Sequence, residues 1–257
     1  MSLVLYEVRD RIGFITLNRS DKRNALSFEL VASLKDAFEK AEKDAAVKVV
    51  ILRANGESFC AGADLAYLQK LQHFSFEENV ADSNHLKELF LKIYQLKKLV
   101  IAQVQGHALA GGCGLASVCD FVFAVPEARF GYTEVKIGFI PAIVLVFLIR
   151  KIGEQRAKHL LLSGELVLAD EAMRLGMINF VVSEEELEKS TEEFAKKLIK
   201  NNSSYSMELT KRMIDEVQAM NLNEALTYAT KMNAQMRASD DCKKGISAFL
   251  NKDTIQW

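Results

Sequence analysis

The chain has 257 residues, of which 49% are hydrophobic and 26% are charged. This apolar share is enough to bury a large core, and the length fits one large domain or two small ones. Lys and Arg number 33 against 34 Asp and Glu, so the sequence lacks the basic excess of a nucleic-acid-binding protein. We therefore predict no nucleic-acid partner.

The N-terminus and the cysteines indicate the compartment. A charge appears by Glu7 with no basic flank and apolar core before it, which argues against a signal peptide. The longest uncharged apolar run, residues 137–149, is shorter than the about 20 residues of a membrane span. The four cysteines show no CxxC pairing and no His at metal-ligand spacing. We predict a cytoplasmic protein with free thiols, no membrane partner and no metal site.

The first half of the chain alternates between strand and helix patterns. Two short apolar runs, residues 3–8 and 11–17, predict a hairpin joined at Arg9-Asp10. Ser27 is a predicted N-cap for the amphipathic helix that follows it. Further apolar, β-branched runs predict buried strands at residues 48–53, 100–104 and 121–125. Such alternation is typical of a parallel sheet covered on both faces.

Helical periodicity dominates from about residue 141 onward, apart from a strand-like run at residues 179–182. The apolar run at residues 143–149 is predicted to be a buried helix. The pattern predicts an α/β fold with a spiral core over residues 1–195 and a helical C-terminal region over residues 196–257. Apolar positions in the last helices predict a subunit interface.

Two loops, residues 56–65 and 106–114, follow predicted strands and bring small residues to a helix start. A helix N-terminus has unpaired backbone N–H groups and a partial positive charge. Two such groups facing one point form an oxyanion hole, which stabilises a thioester carbonyl as it becomes an enolate. The alternative is that these glycines only make tight turns and close packing contacts.

Four segments in order resemble the signatures of the crotonase superfamily, the family of enoyl-CoA hydratases and isomerases. Two positions of these segments differ from the family pattern. Ser20 stands where the first segment usually has proline, and Ala110 stands where the third segment usually has the first of three glycines. The segments are LNRSDKRNALS at 17–27, FCAGADL at 59–65, GHALAGGCGLASVCD at 106–120 and FGYTEVKIG at 130–138. The resemblance covers essentially the whole chain.

The resemblance implies a crotonase-like ββα spiral core and a C-terminal helical trimerisation region. It also implies an acyl-CoA substrate, a homotrimer or a dimer of trimers, and no separate cofactor, because coenzyme A is part of the substrate. By position, Ala63 and Gly111 correspond to the oxyanion-hole donors, and Glu134 to the residue that moves protons on the acyl chain. From the residues alone, Glu134 is also a candidate for a carboxylate placed at a helix start by the dipole.

Further substrate contacts follow from the same resemblance. Phe249 and Lys252 correspond to residues that reach the adenosine and phosphates of coenzyme A across a subunit boundary. Asp64 is a candidate substrate contact that is expected to cap its loop rather than to catalyse, and Tyr132 is a candidate donor near Glu134 or a packing residue. The remaining candidate contacts are Lys22, Ala25, Ala61, Gly62, Leu65, Gly112 and Gly114.

One departure bears on the reaction. Two-carboxylate hydratases of the family have a second Glu where this chain has Gly114. A single carboxylate suffices for the family's delta-3 to delta-2 enoyl-CoA isomerases, whereas hydration usually shares proton transfer between two groups. The apolar stretch after Pro141-Ala142, however, resembles bacterial hydratases of 3-methylglutaconyl-CoA in leucine breakdown, which also lack the second Glu. A hydratase is the leading prediction, with an isomerase and a silent CoA-binding protein as alternatives.

Overall fold

The computed structural model describes residues 2–255 and 257, and in that part of the chain it forms ten strands and eleven helices. The strands are β1 (Val4–Arg9), β2 (Ile12–Leu17), β3 (Val49–Ala54), β4 (Ser58–Cys60), β5 (Leu99–Val104), β6 (His107–Leu109), β7 (Phe121–Ala124), β8 (Arg129–Gly131), β9 (Val167–Leu168) and β10 (Phe180–Val181). The helices are α1 (Phe28–Lys43), α2 (Leu65–Leu71), α3 (Phe76–Tyr94), α4 (Gly111–Ser117), α5 (Ala142–Ile152), α6 (Glu154–Ser163), α7 (Ala169–Arg174), α8 (Glu184–Asn201), α9 (Ser204–Val217), α10 (Leu222–Ala238) and α11 (Asp240–Asn251).

The main sheet has the strand order β1-β2-β3-β5-β7-β10. Strand β1 is antiparallel to β2, and every other neighbouring pair is parallel. The predicted hairpin is confirmed, but its turn is Asp10-Arg11, one residue later than expected, and both residues have positive φ. Such a left-handed pair matches the twist of a two-residue hairpin. The predicted parallel α/β core is therefore confirmed.

A second, smaller sheet has the order β4-β6-β8-β9 and was not predicted. Strands β4, β6 and β8 have only three residues each and run parallel, while β9 is antiparallel to β8. Strands this short show no periodicity by which a sequence reader can recognise them. In each case the chain passes from a main-sheet strand directly into a second-sheet strand, which produces the spiral.

Helix α1 shows how local sequence and packing agree. The Ser27 hydroxyl accepts a hydrogen bond from the Leu30 N–H at 3.3 Å, so the predicted N-cap is confirmed. Leu30, Leu34 and Phe38 lie on one face and are fully buried. This face packs against α3 and the first strands, and it closes one side of the core.

Helix α5 is a helix as predicted, but only one of its faces is buried. Val144, Leu148 and Ile152 are buried against α4 and α6, whereas Leu145 is 36% and Val146 51% exposed. The prediction of a buried helix was therefore wrong for half of its surface. Apolar side chains extend around the whole helix, but within one chain only one face of the helix packs against other elements.

The predicted boundary between residues 195 and 196 falls inside α8, which runs from Glu184 to Asn201 and packs on the main sheet. The helical C-terminal region therefore begins with α9 at Ser204. Helices α9, α10 and α11 follow one another, and α10 contacts both of its neighbours. Within residues 2–255 and 257, the structure contains no helix with the length and apolar character needed to cross a membrane.

Candidate active site

The predicted catalytic segments leave the carboxyl ends of three neighbouring parallel strands. Strands β4, β6 and β8 lie side by side in the second sheet. Directly after them come residues 61–64, residues 110–111 and residues 132–134. The Ala110 N–H donates to the Gly131 carbonyl at 2.8 Å, which ties the second segment to the third. The structure thus brings Ala63, Gly111 and Glu134 to one edge of a sheet.

Ala63 presents an unpaired backbone donor. Its neighbours form a parallel bridge with Leu26: the Leu26 N–H donates to the Gly62 carbonyl at 2.7 Å, and the Asp64 N–H donates to the Leu26 carbonyl at 2.9 Å. In a β-bridge the intervening residue directs its own N–H to the opposite side. Among residues 2–255 and 257, the Ala63 N–H has no hydrogen-bond partner.

Gly111 presents the second donor, as the first residue of α4. The first N–H groups of a helix have no intrahelical acceptor, and that of Gly111 has no partner in the described part of the chain. A Cβ on Gly62 would lie 3.7 Å from the Gly111 nitrogen and 2.8 Å from the Ala110 Cβ. The two donor segments are therefore in van der Waals contact.

Gly112 explains why the loop contains glycines. A Cβ there would lie 2.2 Å from the Cys60 carbonyl oxygen, so only glycine lets α4 lie against the end of β4. This is the packing reason that the sequence analysis left open as an alternative. The packing role is compatible with the role of this loop as a hydrogen-bond donor, because the same close approach holds the N–H groups at the sheet edge.

Arg19 and Asn24 hold the first loop in place, and the sequence analysis missed both. The buried Asn24 amide donates to the carbonyls of Asn55 and Ser58, each at 2.9 Å. Arg19 donates to the Ala25 carbonyl at 2.9 Å and pairs with Asp64 at 2.7 Å. Both residues stand in the 17–27 segment that carried the family resemblance, so that motif was the available signal.

Asp64 has a structural role. Its carboxylate caps α2 by accepting from the Tyr67 N–H at 3.0 Å, and it also receives the Arg19 guanidinium. Burial alone would raise the pKa of Asp64, but these hydrogen bonds and the Arg19 charge outweigh it and lower the pKa. The expectation of a loop-capping carboxylate is confirmed.

Glu134 is in the opposite situation. It begins a short 3-10 turn over Glu134–Ile137, and its carbonyl accepts from the Phe139 N–H at 3.0 Å. Its side-chain Oε2 is buried and has no hydrogen-bond partner within the described residues. Burial raises the pKa of this carboxyl group, and a hydrogen bond to its own backbone only partly opposes the shift. A half-buried carboxylate with a free oxygen and a raised pKa is suited to proton transfer.

Tyr132 and Gly114 are covered by the protein itself. Tyr132 is fully buried, and its hydroxyl shares a 3.1 Å hydrogen bond with the Ser117 hydroxyl, so it packs rather than facing a ligand. A Cβ on Gly114 would lie 2.2 Å from Val144 Cγ1 and 2.9 Å from Phe90 Cε1. Side chains of α5 and α3 therefore fill the space beside Gly114, and the predicted substrate contacts of these two residues have no open surface in this structure.

The remaining candidate contacts divide into two groups. Lys22 is exposed in the 3-10 turn of the first loop, and Leu65 is 77% exposed at the start of α2. Ala25 is buried and Ala61 half-buried, and both line the backbone of the two hydrogen-bonded loops. All four lie in, or next to, the loops joined by the Ala61 N–H to Arg23 carbonyl hydrogen bond.

Phe249 lies in α11, and Lys252 is the C-cap of that helix. The Trp257 carbonyl accepts from Arg11, which precedes the first residue of β2, and the Trp257 ring lies against Gly245 of α11. Both flanks of the 249–252 segment are thus anchored at the amino edge of the main sheet. Phe249 is 84% exposed. Within one chain, these two residues do not join the site.

The geometry places two unpaired N–H donors at the same sheet edge as a carboxylate with a raised pKa, an arrangement that can polarise a carbonyl group and transfer a proton. The model of the enoyl-CoA hydratase/isomerase family matches residues 7–257. The chain therefore belongs to the enoyl-CoA hydratase/isomerase family, within the crotonase superfamily. It is an enzyme family that acts on acyl-CoA thioesters.

Individual relatives cover nearly the whole chain. A Thermus thermophilus protein provisionally named an enoyl-CoA hydratase is 42% identical over 248 residues, covering 95% of this chain and 96% of that one. The crotonyl-CoA hydratase of Syntrophomonas wolfei is 33% identical over 251 residues, covering 97% and 95%. A crystal structure of enoyl-CoA hydratase from Mycobacterium smegmatis superposes with a TM-score of 0.92 at 31% identity, covering 100% of this chain and 99% of that one.

Proposed function

We propose that the protein is a hydratase that adds water across the double bond of a 2-enoyl-CoA thioester. One observation carries this proposal. A buried Glu134 oxygen and two backbone N–H groups, all without hydrogen-bond partners in the described residues, lie at the same sheet edge. Relatives named hydratases at 31–42% identity support the same reaction.

In the proposed reaction, the thioester oxygen accepts hydrogen bonds from the Ala63 and Gly111 N–H groups. Glu134 removes a proton from water as the hydroxide adds to C3, and the electrons of the double bond move onto the thioester oxygen as an enolate. The protonated Glu134 then returns its proton to C2, the enolate collapses to the thioester, and one water has been added in total. A single carboxylate thus acts first as base and then as acid.

A delta-3 to delta-2 enoyl-CoA isomerase is the second candidate, and the surroundings of Gly114 favour it. Val144 and Phe90 occupy the space that a carboxylate at this position would need. Glu134 alone can take a proton from C2 of a 3-enoyl-CoA and return it to C4, without any water. The two candidates therefore differ in whether Glu134 acts on water or on the substrate carbon.

The identity of the acyl group on the substrate is a further part of this proposal. A relative from Escherichia coli is a 2,3-dehydroadipyl-CoA hydratase at 31% identity, and another is the crotonyl-CoA hydratase above, so relatives at similar distance carry different acyl names. The resemblance noted for the stretch after Pro141 adds 3-methylglutaconyl-CoA as a candidate. The two donors and Glu134 act at the carbonyl and the carbons next to it, so they do not distinguish between these acyl groups.

We also propose that the enzyme works as a homotrimer or a dimer of trimers. Phe249 and Lys252 belong to the amino edge of their own sheet, whereas the donor loops lie at the carboxyl ends of β4, β6 and β8. If these residues bind coenzyme A, they bind it in another copy. Exposed apolar side chains on α5 supply surface for such an interface. Light scattering should give a trimer or hexamer mass, and a monomer would contradict the assembly.

The test of function is turnover on a panel of crotonyl-CoA, 3-methylglutaconyl-CoA and a 3-enoyl-CoA, with products separated by liquid chromatography against standards and identified by mass. A product 18 Da heavier identifies a hydratase, and a shifted alkene of unchanged mass identifies an isomerase. Binding of acyl-CoA without either product would indicate a silent CoA-binding protein. Enzyme carrying Glu134→Gln serves as the matched blank.

A further inference from the structure

Helix α2 begins two residues after the Ala63 donor, and it has no buried apolar face of its own. None of the residues of α2 is buried. A short helix without buried side chains gains little from packing, so its position depends on the polar contacts that it makes. One of these contacts is the Asp64 cap, in which the carboxylate accepts from the Tyr67 N–H. The position of α2 therefore bears directly on where the Ala63 N–H points.

Tyr67 also joins α2 to α3. Its hydroxyl donates a hydrogen bond to the Asp82 carboxylate, and both side chains are half-buried. Within residues 2–255 and 257, this is the only side-chain hydrogen bond between α2 and another helix or strand. Burial and the Asp82 carboxylate both raise the pKa of Tyr67, so the hydroxyl keeps its proton and acts as a donor. A hydrogen bond to a carboxylate is roughly twice as strong as one between neutral groups.

Helix α3 is in turn fixed to the start of α1. His85 lies one turn after Asp82 on the same face of α3. The His85 ring stacks on Phe28 with the centroids 4.0 Å apart, and its Nε2 lies 3.1 Å from the Phe28 carbonyl oxygen. Phe28 follows closely on Leu26, which forms the backbone bridge with Ala63. These contacts form a closed ring that runs through the start of α1, α3 and α2 and returns to the Ala63 donor.

We propose that Tyr67 is a positioning residue, whose hydrogen bond to Asp82 closes this ring and thereby aims the Ala63 N–H at the thioester carbonyl. The inference rests on the proposed function, in which that N–H stabilises the enolate oxygen. Loss of one oxyanion-hole donor typically lowers kcat by about 10²–10³-fold. Without the Tyr67 hydroxyl the donor is still present but is held less firmly, so a smaller loss is expected.

Steady-state kinetics on the substrate that the panel identifies tests the hydrogen bond. Tyr67→Phe removes only the hydroxyl. It should lower kcat by about five- to tenfold and change KM by less than about twofold, because donor alignment matters more for the enolate than for the bound thioester. Asp82→Ala should give the same loss, and the double variant should be no slower than either single variant. Asp82→Asn keeps an acceptor for the hydroxyl and should retain most of the activity.

A spectroscopic measurement separates positioning from a general loss of structure. Butyryl-CoA with an isotope-labelled thioester carbonyl has no double bond in its acyl chain, so neither candidate reaction consumes it. On binding to the wild type, its infrared carbonyl stretch should move to lower frequency, because hydrogen bonds to the oxygen weaken the C=O bond. In Tyr67→Phe this displacement should be smaller, at saturating ligand and with an unchanged melting temperature. Tyr205→Phe, at an exposed tyrosine of α9, should match the wild type in both measurements.

Failure of the proposed function and failure of this inference give different results. If the wild type leaves the carbonyl frequency of bound butyryl-CoA unchanged, the proposed function is contradicted, and the inference is overturned with it. If the wild type displaces the frequency and Tyr67→Phe displaces it equally, the function stands and the role of Tyr67 is overturned. Additive losses of kcat in Tyr67→Phe and Asp82→Ala also overturn that role, since two residues that act through one hydrogen bond do not contribute independently.

Discussion

The two ends of α4 lie in opposite kinds of environment. At its N-terminus the Gly111 N–H has no partner in the described residues, and the neighbouring strand leads to Glu134, whose Oε2 is also unpaired. At its C-terminus the Ser117 and Cys119 carbonyls both accept from Lys151. A polar group left unpaired costs stability, and under the proposed function a substrate completes the hydrogen bonds at this end of α4.

The largest effect should come from Glu134→Gln at the unpaired end. The amide keeps the size of the side chain but cannot exchange a proton with water or carbon, so kcat should fall by about 10²–10⁴-fold. Steady-state turnover on the substrate that the panel identifies checks this. Glu154→Gln, on an exposed carboxylate paired with Lys158, should leave kcat unchanged. Substantial residual turnover in Glu134→Gln would remove Glu134 from the mechanism.

The same carboxylate should set the acid limb of the pH profile. Glu134 must be ionised to act as a base, and burial raises its pKa. Plotted against pH, kcat/KM should therefore fall on acidification with an apparent pKa above the ordinary value for glutamate. Because the folded-state pKa is above the unfolded one, ionised Glu134 costs stability near neutral pH, and that cost disappears in acid. At neutral pH, Glu134→Gln should melt no lower than the wild type.

Substitutions near the C-terminus of α4, where the polar groups are paired, should change the stability of the protein. Lys211 and Asp120 form a largely buried ion pair at 2.7 Å near the C-terminus of α4, and Asp120 also accepts from the Val100 N–H. Lys211→Met removes the ion-pair partner of Asp120, and loss of one partner of such a pair typically costs about 3–5 kcal/mol. Denaturant unfolding measures this cost.

A matched set of variants shows whether the loss at Lys211 is electrostatic. The double variant Lys211→Met with Asp120→Asn should recover part of the lost stability, because no charge then stays buried alone. Lys43→Met, on an exposed lysine paired with Glu39, should change the free energy of unfolding by less than about 0.5 kcal/mol. Equal losses in the single and double variants would show that charge is not the cause.

Much of the candidate site was predicted because the family resemblance assigns its residues by position in short local segments. Ala63 and Gly111 stand in short segments of small residues, and these segments keep their order along the chain. The second sheet did not follow, since strands of three residues carry no pattern. Nor did the contact of Val144 with Gly114, which depends on how α5 packs on α4. The exposure of Val146 was missed for the same reason: periodicity shows an apolar surface but not what covers it.

The contact between Gly114 and Val144 can be tested by enlarging the smaller residue. A Cβ at position 114 would lie 2.2 Å from Val144 Cγ1, so Gly114→Ala should force α5 outward at a cost of about 1–3 kcal/mol. The higher helix preference of alanine offsets up to about 1 kcal/mol of that cost. In the Val144→Ala background the 2.2 Å contact is gone and contacts of 2.9 Å with the Cβ of residue 144 and with Phe90 Cε1 remain, so the same substitution should cost less. Additive effects in this double-mutant cycle would contradict the contact.

The smallest expected effect is at Ala110, the residue that precedes the Gly111 donor. Its φ of 50° and ψ of −126° place an alanine in a region that glycine occupies more readily. Ala110→Gly should therefore raise the free energy of unfolding by about 1 kcal/mol. Ala116→Gly, inside α4, should lower the free energy of unfolding by at least about that amount. If Ala110→Gly instead destabilises the protein, the Ala110 methyl contributes more through its contact with Gly62 than its backbone strain costs, and the methyl helps to hold the two donor segments together.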